Sequence, residues 1–314
     1  MPMFIAEYLQ RHRPSISFEF FPPKTDEGVE NLMRTITSLR ILNPGFVSVT
    51  YGAGGSSRSR TLEVVKRIKG ELEIEPMAHL TCVGSSRSEM REIVRELAKA
   101  GVENIMALRG DPPKGETAFV RATGGFRYAS ELIEMLRDEF DFCIGAGAYP
   151  EVHPDAVDAD DDIRVAAAKV AAGATFLTTQ FFFDNAAYFA YVDRARAAGL
   201  DVPIVPGIMP ITSYKGVSTM LAMNGGKMPQ RLLAELEARH DEPEAVAELG
   251  VAYTALQCRD LLAKGAPGLH FYTLNRSTAT RAVVSALVAT DAIREAALAY
   301  EATALARNVG VTTR

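Results

Sequence analysis

Apolar positions along this chain alternate between two periods. Short β-rich runs occur at ISFEFFP (16–22), FVSVTY (46–51), PMAHLTC (76–82), NIMALRG (104–110), FCIGAGAYP (142–150), FLTTQFFF (176–183), VPIVPGIMP (202–210) and GLHFYTLNR (268–276). Most precede ten or more residues with apolar positions at helical spacing, as in GVENLMRTITSLR, RTLEVVKRIKGEL, SEMREIVRELAKA and AAYFAYVDRARAA. About eight strand-then-helix units at roughly 30-residue spacing match the βα repeat with its crossover. Eight such units predict an α/β fold of the (βα)8 barrel type, which takes about 250 residues. A doubly wound open sheet fits less well, because nothing marks a break into two halves. The stretch 213–265 exceeds one crossover and predicts extra helices before the last strand, with a turn at Asn224-Gly225-Gly226. After Arg276 the pattern predicts one more barrel helix and an Ala-rich helical tail from about residue 290. With no linker, repeat or low-complexity tract, residues 1–314 are expected to form one domain.

Composition narrows the function class. Hydrophobic residues make up 47% and charged residues 23%, ordinary values for a globular protein. The net charge of -5 and the lack of a Lys/Arg-rich block argue against a nucleic-acid footprint. Cys82, Cys143 and Cys258 are odd in number and far apart, which suits a reducing cytosol and gives no zinc signature. The opening MPMFIAEYLQRHRP has an acid inside a short apolar stretch and reads as a helix rather than a signal peptide. No run of about 18 apolar residues exists, so a cytoplasmic protein without a membrane span is expected.

In a barrel of this kind catalytic residues sit where the strands end and their loops converge. The unusual polar residues fall there: Glu19, Thr50, Tyr51, His79, Arg109, Asp111, Tyr149, His153, Gln180, Asn275 and Arg276. An unpaired buried polar group costs about 1–3 kcal/mol, so one mouth lined with them is the simpler reading. Each also has a plainer reading. Glu19, between Phe18, Phe20 and Phe21, can be a strand residue paired with a buried arginine. His79 can be a hydrogen-bonded core histidine, and Asp111 in RGDPP can begin a turn. Phe181, Phe182 and Phe183 read as core, which makes Gln180 the more informative position. The GAGGSS run has Ser57 where a dinucleotide fingerprint needs its third glycine, so it is not that motif.

Taken together, SFEFFPPKT, VSVTYGAGGSSR, AHLTC, NIMALRGDPP, YPEVHPDA, TQFFFD, VPGIMPI and HFYTLNR resemble, in order, the methylenetetrahydrofolate reductase family in its short bacterial form. The resemblance covers nearly all of the first 280 residues. It implies FAD held at the mouth of the barrel, NADH or NADPH as reductant, and a hydride passed to the methylene carbon of methylenetetrahydrofolate. It also implies roles for individual residues. Glu19 corresponds to the family's acid–base glutamate, Asp111 to its flavin-tuning and folate-positioning aspartate, and Gln180 to its shared substrate glutamine. FAD contacts carry over to Thr50, Tyr51, Ala53, His79, Arg109, Gly110, Asp111, Ala129, Tyr149, His153, Ala156, Asp162 and Lys169. Arg276 matches a substrate contact.

The residue types suit that chemistry. A general acid works best with a pKa near the operating pH, and the phenylalanines around Glu19 are expected to raise its pKa by burial. Val165, Ala168 and Gly216 depart from polar residues seen in relatives, which predicts weaker FAD binding and leaves the second-substrate preference open. Two alternatives stand beside this reading: direct hydride transfer from nicotinamide to folate without tight FAD, and a non-catalytic folate-binding protein. No regulatory domain is expected, and the Ala-rich tail offers a face for a homo-oligomer.

Overall fold

In the computed structural model, which describes residues 3–51, 58–110 and 119–311, eight parallel strands close into a barrel. They are β1 (Ser15–Phe20), β2 (Phe46–Val49), β3 (Pro76–Thr81), β4 (Asn104–Leu108), β5 (Cys143–Ala148), β6 (Phe176–Phe181), β7 (Ile204–Ile208) and β8 (Gly268–Tyr272). Each strand pairs with the next, and β8 returns to β1 with Ser17 opposite His270 and Glu19 opposite Tyr272. The barrel predicted from the alternating periods is the observed fold.

Alternation along each strand sends successive side chains to opposite faces. One set, including Phe18, Phe20, Val47, Val49, Leu80, Ile105 and Phe271, joins the surrounding helices in the main core. Those helices are α2 (Asp26–Arg40), α3 (Arg58–Leu72), α4 (Arg87–Lys99), α5 (Ala129–Glu139), α6 (Ala159–Ala172) and α7 (Asn185–Ala197). The other set lines the interior. At the bottom it is apolar: Phe46, Met77, Met106, Cys143, Phe176 and Val205 pack against Ile5 and Leu9 of α1 (Ile5–Arg11). The opening segment is therefore a helix, as predicted, and it plugs the barrel floor. Asn104 holds it there, accepting from the Ile5 amide at 2.8 Å and donating to the Met3 carbonyl at 2.9 Å.

Three helices fill the long stretch before β8: α8 (Tyr214–Asn224), α9 (Gln230–Glu237) and α10 (Pro243–Ala263). They build a satellite core with Phe181, Phe183 and Met209. Gly225, at φ +66°, ends α8 at the predicted turn, where a residue without Cβ adopts the left-handed conformation without strain. The barrel helix α11 (Thr278–Ala289) is followed by the tail, α12 (Ala292–Val311). The tail packs on its own chain. The Tyr300 hydroxyl donates to the Gln10 carbonyl at 3.0 Å, and the Arg13 guanidinium sits 4.8 Å over the Tyr300 ring. Among the described residues, no helix is long and apolar enough to cross a membrane.

Candidate active site

Above its apolar floor the barrel interior turns polar on one side. Ser17 and Glu19 from β1, Ser48 from β2, His79 from β3, and His270 and Tyr272 from β8 occupy alternate, inward positions. Glu19 Oε2 lies 3.4 Å from His79 Nε2 and 3.4 Å from His270 Nε2, and accepts from the Ser48 hydroxyl at 3.3 Å. His270 Nδ1 lies 2.8 Å from the Ser17 hydroxyl. His270 thus bridges Ser17 and Glu19 through its two ring nitrogens. The Glu19 side chain keeps 17% of its surface exposed, while those of His79 and His270 keep 7% and 0%. The carboxylate is thus the member of this cluster that reaches the mouth.

The electrostatics overturn one expectation. Phe18 and Phe20 face the helices, away from the carboxylate, and Phe21 is exposed, because neighbouring strand residues point to opposite faces. No aromatic cage forms from them around Glu19. Burial still pushes the Glu19 carboxyl up, but His79, His270 and Ser48 together outweigh it and hold it below the ordinary value. Burial in turn pushes the His79 imidazole down against the pull of Glu19. His79 is buried and Nε2 makes no hydrogen bond among the described residues, so the plain reading of a satisfied core histidine does not hold.

A second polar cluster forms where β4 and β5 end. Arg109 pairs with Asp155 at 2.5 Å, and its guanidinium lies 5.5 Å from the Phe119 ring centre. Tyr149 and His153 meet edge to face at 4.5 Å. Lys169, rising from α6, donates to the Gly147 carbonyl at 2.9 Å, and its ammonium lies 6.0 Å from the Tyr149 ring centre. Burial pushes the Lys169 pKa down to about 8, opposed by Asp162. Asp162, in the first turn of α6, is 5% exposed, and burial pushes its carboxyl up to about 6 against the pull of Lys169. One Asp162 oxygen, Oδ2, has no hydrogen-bond partner among the described residues.

The remaining predicted residues divide. Thr50 continues β2, its amide donating to the Phe20 carbonyl and its own carbonyl accepting from Thr61. Tyr51 packs half-buried against the core. Gly110 takes φ +86°, and a Cβ there would stand 2.9 Å from Thr81 Cβ, so a side chain is excluded by both strain and space. Ala129 is the buried first residue of α5, and the Ala156 amide donates to the His153 carbonyl. Gln180 is half-buried, with its amide oxygen accepting from the neighbouring Phe181 amide at 3.0 Å. Arg276 is exposed beside a cleft lined by Pro210, Thr212, Tyr272 and Thr273. Val165 and Ala168 are exposed on α6, and the Gly216 amide caps onto Ser213. Ala53 and Asp111 lie outside the described residues.

Asn275 leaves the set of mouth-lining candidates. Its side chain accepts from the Phe21 amide at 3.0 Å and donates to the Phe21 carbonyl at 2.8 Å, clamping the loop after β8 to the end of β1. Conversely, sequence reading missed Ser17, Ser48 and His270. The available signal was parity: Ser17 stands two residues before Glu19, and His270 two before Tyr272, each on an inward register. His270 as a partner of Glu19 was invisible because it arrives from 251 residues away.

The family model described as Methylenetetrahydrofolate reductase matches residues 5–288. The chain is 38% identical over 273 residues to 5,10-methylenetetrahydrofolate reductase of Escherichia coli (strain K12), covering 87% of this chain and 90% of that protein. It is 39% identical over 282 residues to Methylenetetrahydrofolate reductase (NADH) 1 of Arabidopsis thaliana, covering 86% of this chain and 48% of that protein. The chain thus spans about half the length of the plant relatives it matches. Among solved structures, an uncharacterized protein from Clostridium thermocellum that binds two copies of 5-methyl-5,6,7,8-tetrahydrofolic acid shares the fold. Its TM-score is 0.61 at 18% identity, covering 94% of this chain and 99% of that one. On the strength of the family match and the bacterial relative, the chain belongs to the methylenetetrahydrofolate reductase family.

Proposed function

We propose that this protein is a methylenetetrahydrofolate reductase that binds FAD, takes reducing equivalents from NADH or NADPH, and reduces methylenetetrahydrofolate to methyltetrahydrofolate. The observation that carries the reading is the Glu19–His79–His270 cluster at the mouth of a barrel whose sequence belongs to this family. The second cluster fits a flavin nucleotide. It offers a buried acid in Asp162, cations in Lys169 and Arg109, and an aromatic ring in Tyr149. Bound there, FAD would supply hydride transfer, which no side chain can perform. The residues that hold it in this reading are Thr50, Tyr51, Ala53, His79, Arg109, Gly110, Asp111, Ala129, Tyr149, His153, Ala156, Asp162 and Lys169. Gln180 and Arg276 serve the folate or nicotinamide.

The chain's own chemical task is to move a proton. Opening the folate's five-membered ring requires protonation of its amine nitrogen, and Glu19 is the acid at the mouth. In the open site its partners keep it ionised. A ligand that covers the mouth removes the remaining solvent from the carboxylate and strengthens the burial that already opposes ionisation. Glu19 then takes up a proton as the folate arrives. His270 and Ser48 fix the carboxylate's orientation from below. Asp111 stabilises the cationic form of the folate, since a fixed carboxylate acts strongly in a dry site.

A stopped-flow experiment that separates the two half-reactions tests the proposal. The purified protein should absorb near 450 nm (roughly, from the flavin), bleach with NADH or NADPH, and recover on adding methylenetetrahydrofolate. Release of methyltetrahydrofolate without any bound flavin would replace this reading with direct transfer between nicotinamide and folate.

A further inference from the structure

Between α6 and α7 three polar atoms are shut away from solvent without a hydrogen-bond partner among the described residues: Asp162 Oδ2, the Tyr191 hydroxyl and Arg194 Nε. Asp162 is 5% exposed and Tyr191 1%. Tyr191 and Arg194 stand three residues apart on α7, hence one turn apart on the same side of that helix. α6 packs against α7, which brings these groups near enough for Asp162 and Arg194 to act on Tyr191 and for Arg194 to act on Asp162. The His153 amide donates to the Asp162 carboxylate from the loop after β5, and Oδ2 is the oxygen left without a partner among the described residues.

Buried polar groups in folded proteins are paired, and a cluster that is not directly paired is commonly joined by a water making two to four hydrogen bonds. Here the donors and acceptor balance. A water can accept from the Tyr191 hydroxyl and from Arg194 Nε–H while donating to Asp162 Oδ2. We infer that Tyr191 and Arg194 are positioning residues for Asp162, holding its carboxylate through one shared buried water in the orientation that the cofactor meets. Tyr191 touches neither cofactor nor folate; it acts through Asp162. The inference rests on the reading of Asp162 as a flavin contact and adds to it the α7 groups that set its geometry.

The test is a double-mutant cycle on flavin affinity, measured by fluorescence titration of FAD into the full-length apoprotein. Tyr191→Phe keeps the ring and its packing and removes the hydroxyl alone. It should weaken FAD binding by about tenfold, the scale of one hydrogen bond in a charged network. In the Asp162→Asn background the same substitution should have no further effect, because its target is already altered. Arg194→Gln should weaken binding in the same direction, which guards against misfolding of one variant. Wild-type affinity in Tyr191→Phe overturns the inference, and so do losses that multiply in the double variant. If wild type binds FAD and Asp162→Asn binds it equally well, Asp162 is no flavin contact and the inference falls with it. If wild type binds no FAD, it is the functional reading itself that fails.

Discussion

The two halves of the barrel mouth solve opposite electrostatic problems. On the β1–β3–β8 side, a carboxylate is surrounded by groups that favour its charge, and its pKa is held down despite burial. On the β4–β6 side, Asp162 and Lys169 are both pushed by burial toward neutrality, to about 6 and about 8, and each is only partly rescued by the other. The first cluster gathers ion-pair and hydrogen-bond partners around one carboxylate, with His79 Nε2 3.4 Å from Glu19 and without a hydrogen bond among the described residues. The second pairs a buried acid with a buried base, each shifted by the loss of solvent, a pattern that clusters at functional sites.

That division is open to direct attack, beginning where the effect is greatest. Glu19→Gln should cut the folate half-reaction by about 10²-fold or more, the scale of a lost general acid, and leave flavin affinity and nicotinamide oxidation intact. Stopped-flow traces of each half-reaction decide it, and equal slowing of both would erase the division of labour. Lys169→Met should do the reverse. Flavin affinity should fall by about 10–100-fold, as for a lost charged hydrogen bond, while the flavin-saturated enzyme reduces folate at the wild-type rate.

Asp162 gives the comparison a pH signature. Its carboxyl lies above the ordinary value in the folded chain, so its contribution to stability is full below about pH 4 and lost as pH rises through about 6. Asp162→Asn should therefore stabilise the flavin-free protein at pH 8 by about 2 kcal/mol relative to its effect at pH 4, while weakening flavin binding. Thermal melts of apoprotein at the two pH values measure this. An unchanged difference would mean that the Asp162 carboxyl is not held above its ordinary value in the folded chain.

His270→Phe keeps the ring stacked near Phe46, at 5.9 Å in the wild type, but removes its bonds to Glu19 and Ser17. Because His270 lowers the Glu19 pKa, its loss should raise it. The alkaline limb of the folate half-reaction should then move to higher pH, and the plateau rate should fall by about threefold to tenfold, below the usual range for losing the acid itself. A pH profile superimposable on wild type would remove His270 from the proton-handling side. The smallest effect belongs to Asn275→Ala. It breaks two hydrogen bonds to Phe21 and should cost about 1–2 kcal/mol in a denaturant melt, with little change in either half-reaction once corrected for unfolded protein.

The barrel was legible in the chain itself, because a strand's two faces and a helix's single stripe leave different periods in the sequence. Runs such as NIMALRG and FLTTQFFF announced strands, and the excess length at 213–265 announced the helices that precede β8. Glu19 stood out too, as a glutamate set in a strand otherwise rich in phenylalanine, and it lies at the centre of the polar cluster. What tertiary structure alone decided was the company that glutamate keeps. The neighbouring phenylalanines in the sequence turn outward to the helices, and the residues that set its charge come from β2, β3 and β8. Closing the barrel brings the last strand beside the first, so a histidine 251 residues away meets Glu19. Asn275 shows the same logic in reverse, a polar strand-end residue used for a backbone clamp. Local pattern depends on the chain's own periodicity and survives in a single sequence. Electrostatics depends on which strands become neighbours, and only the closed barrel settles that.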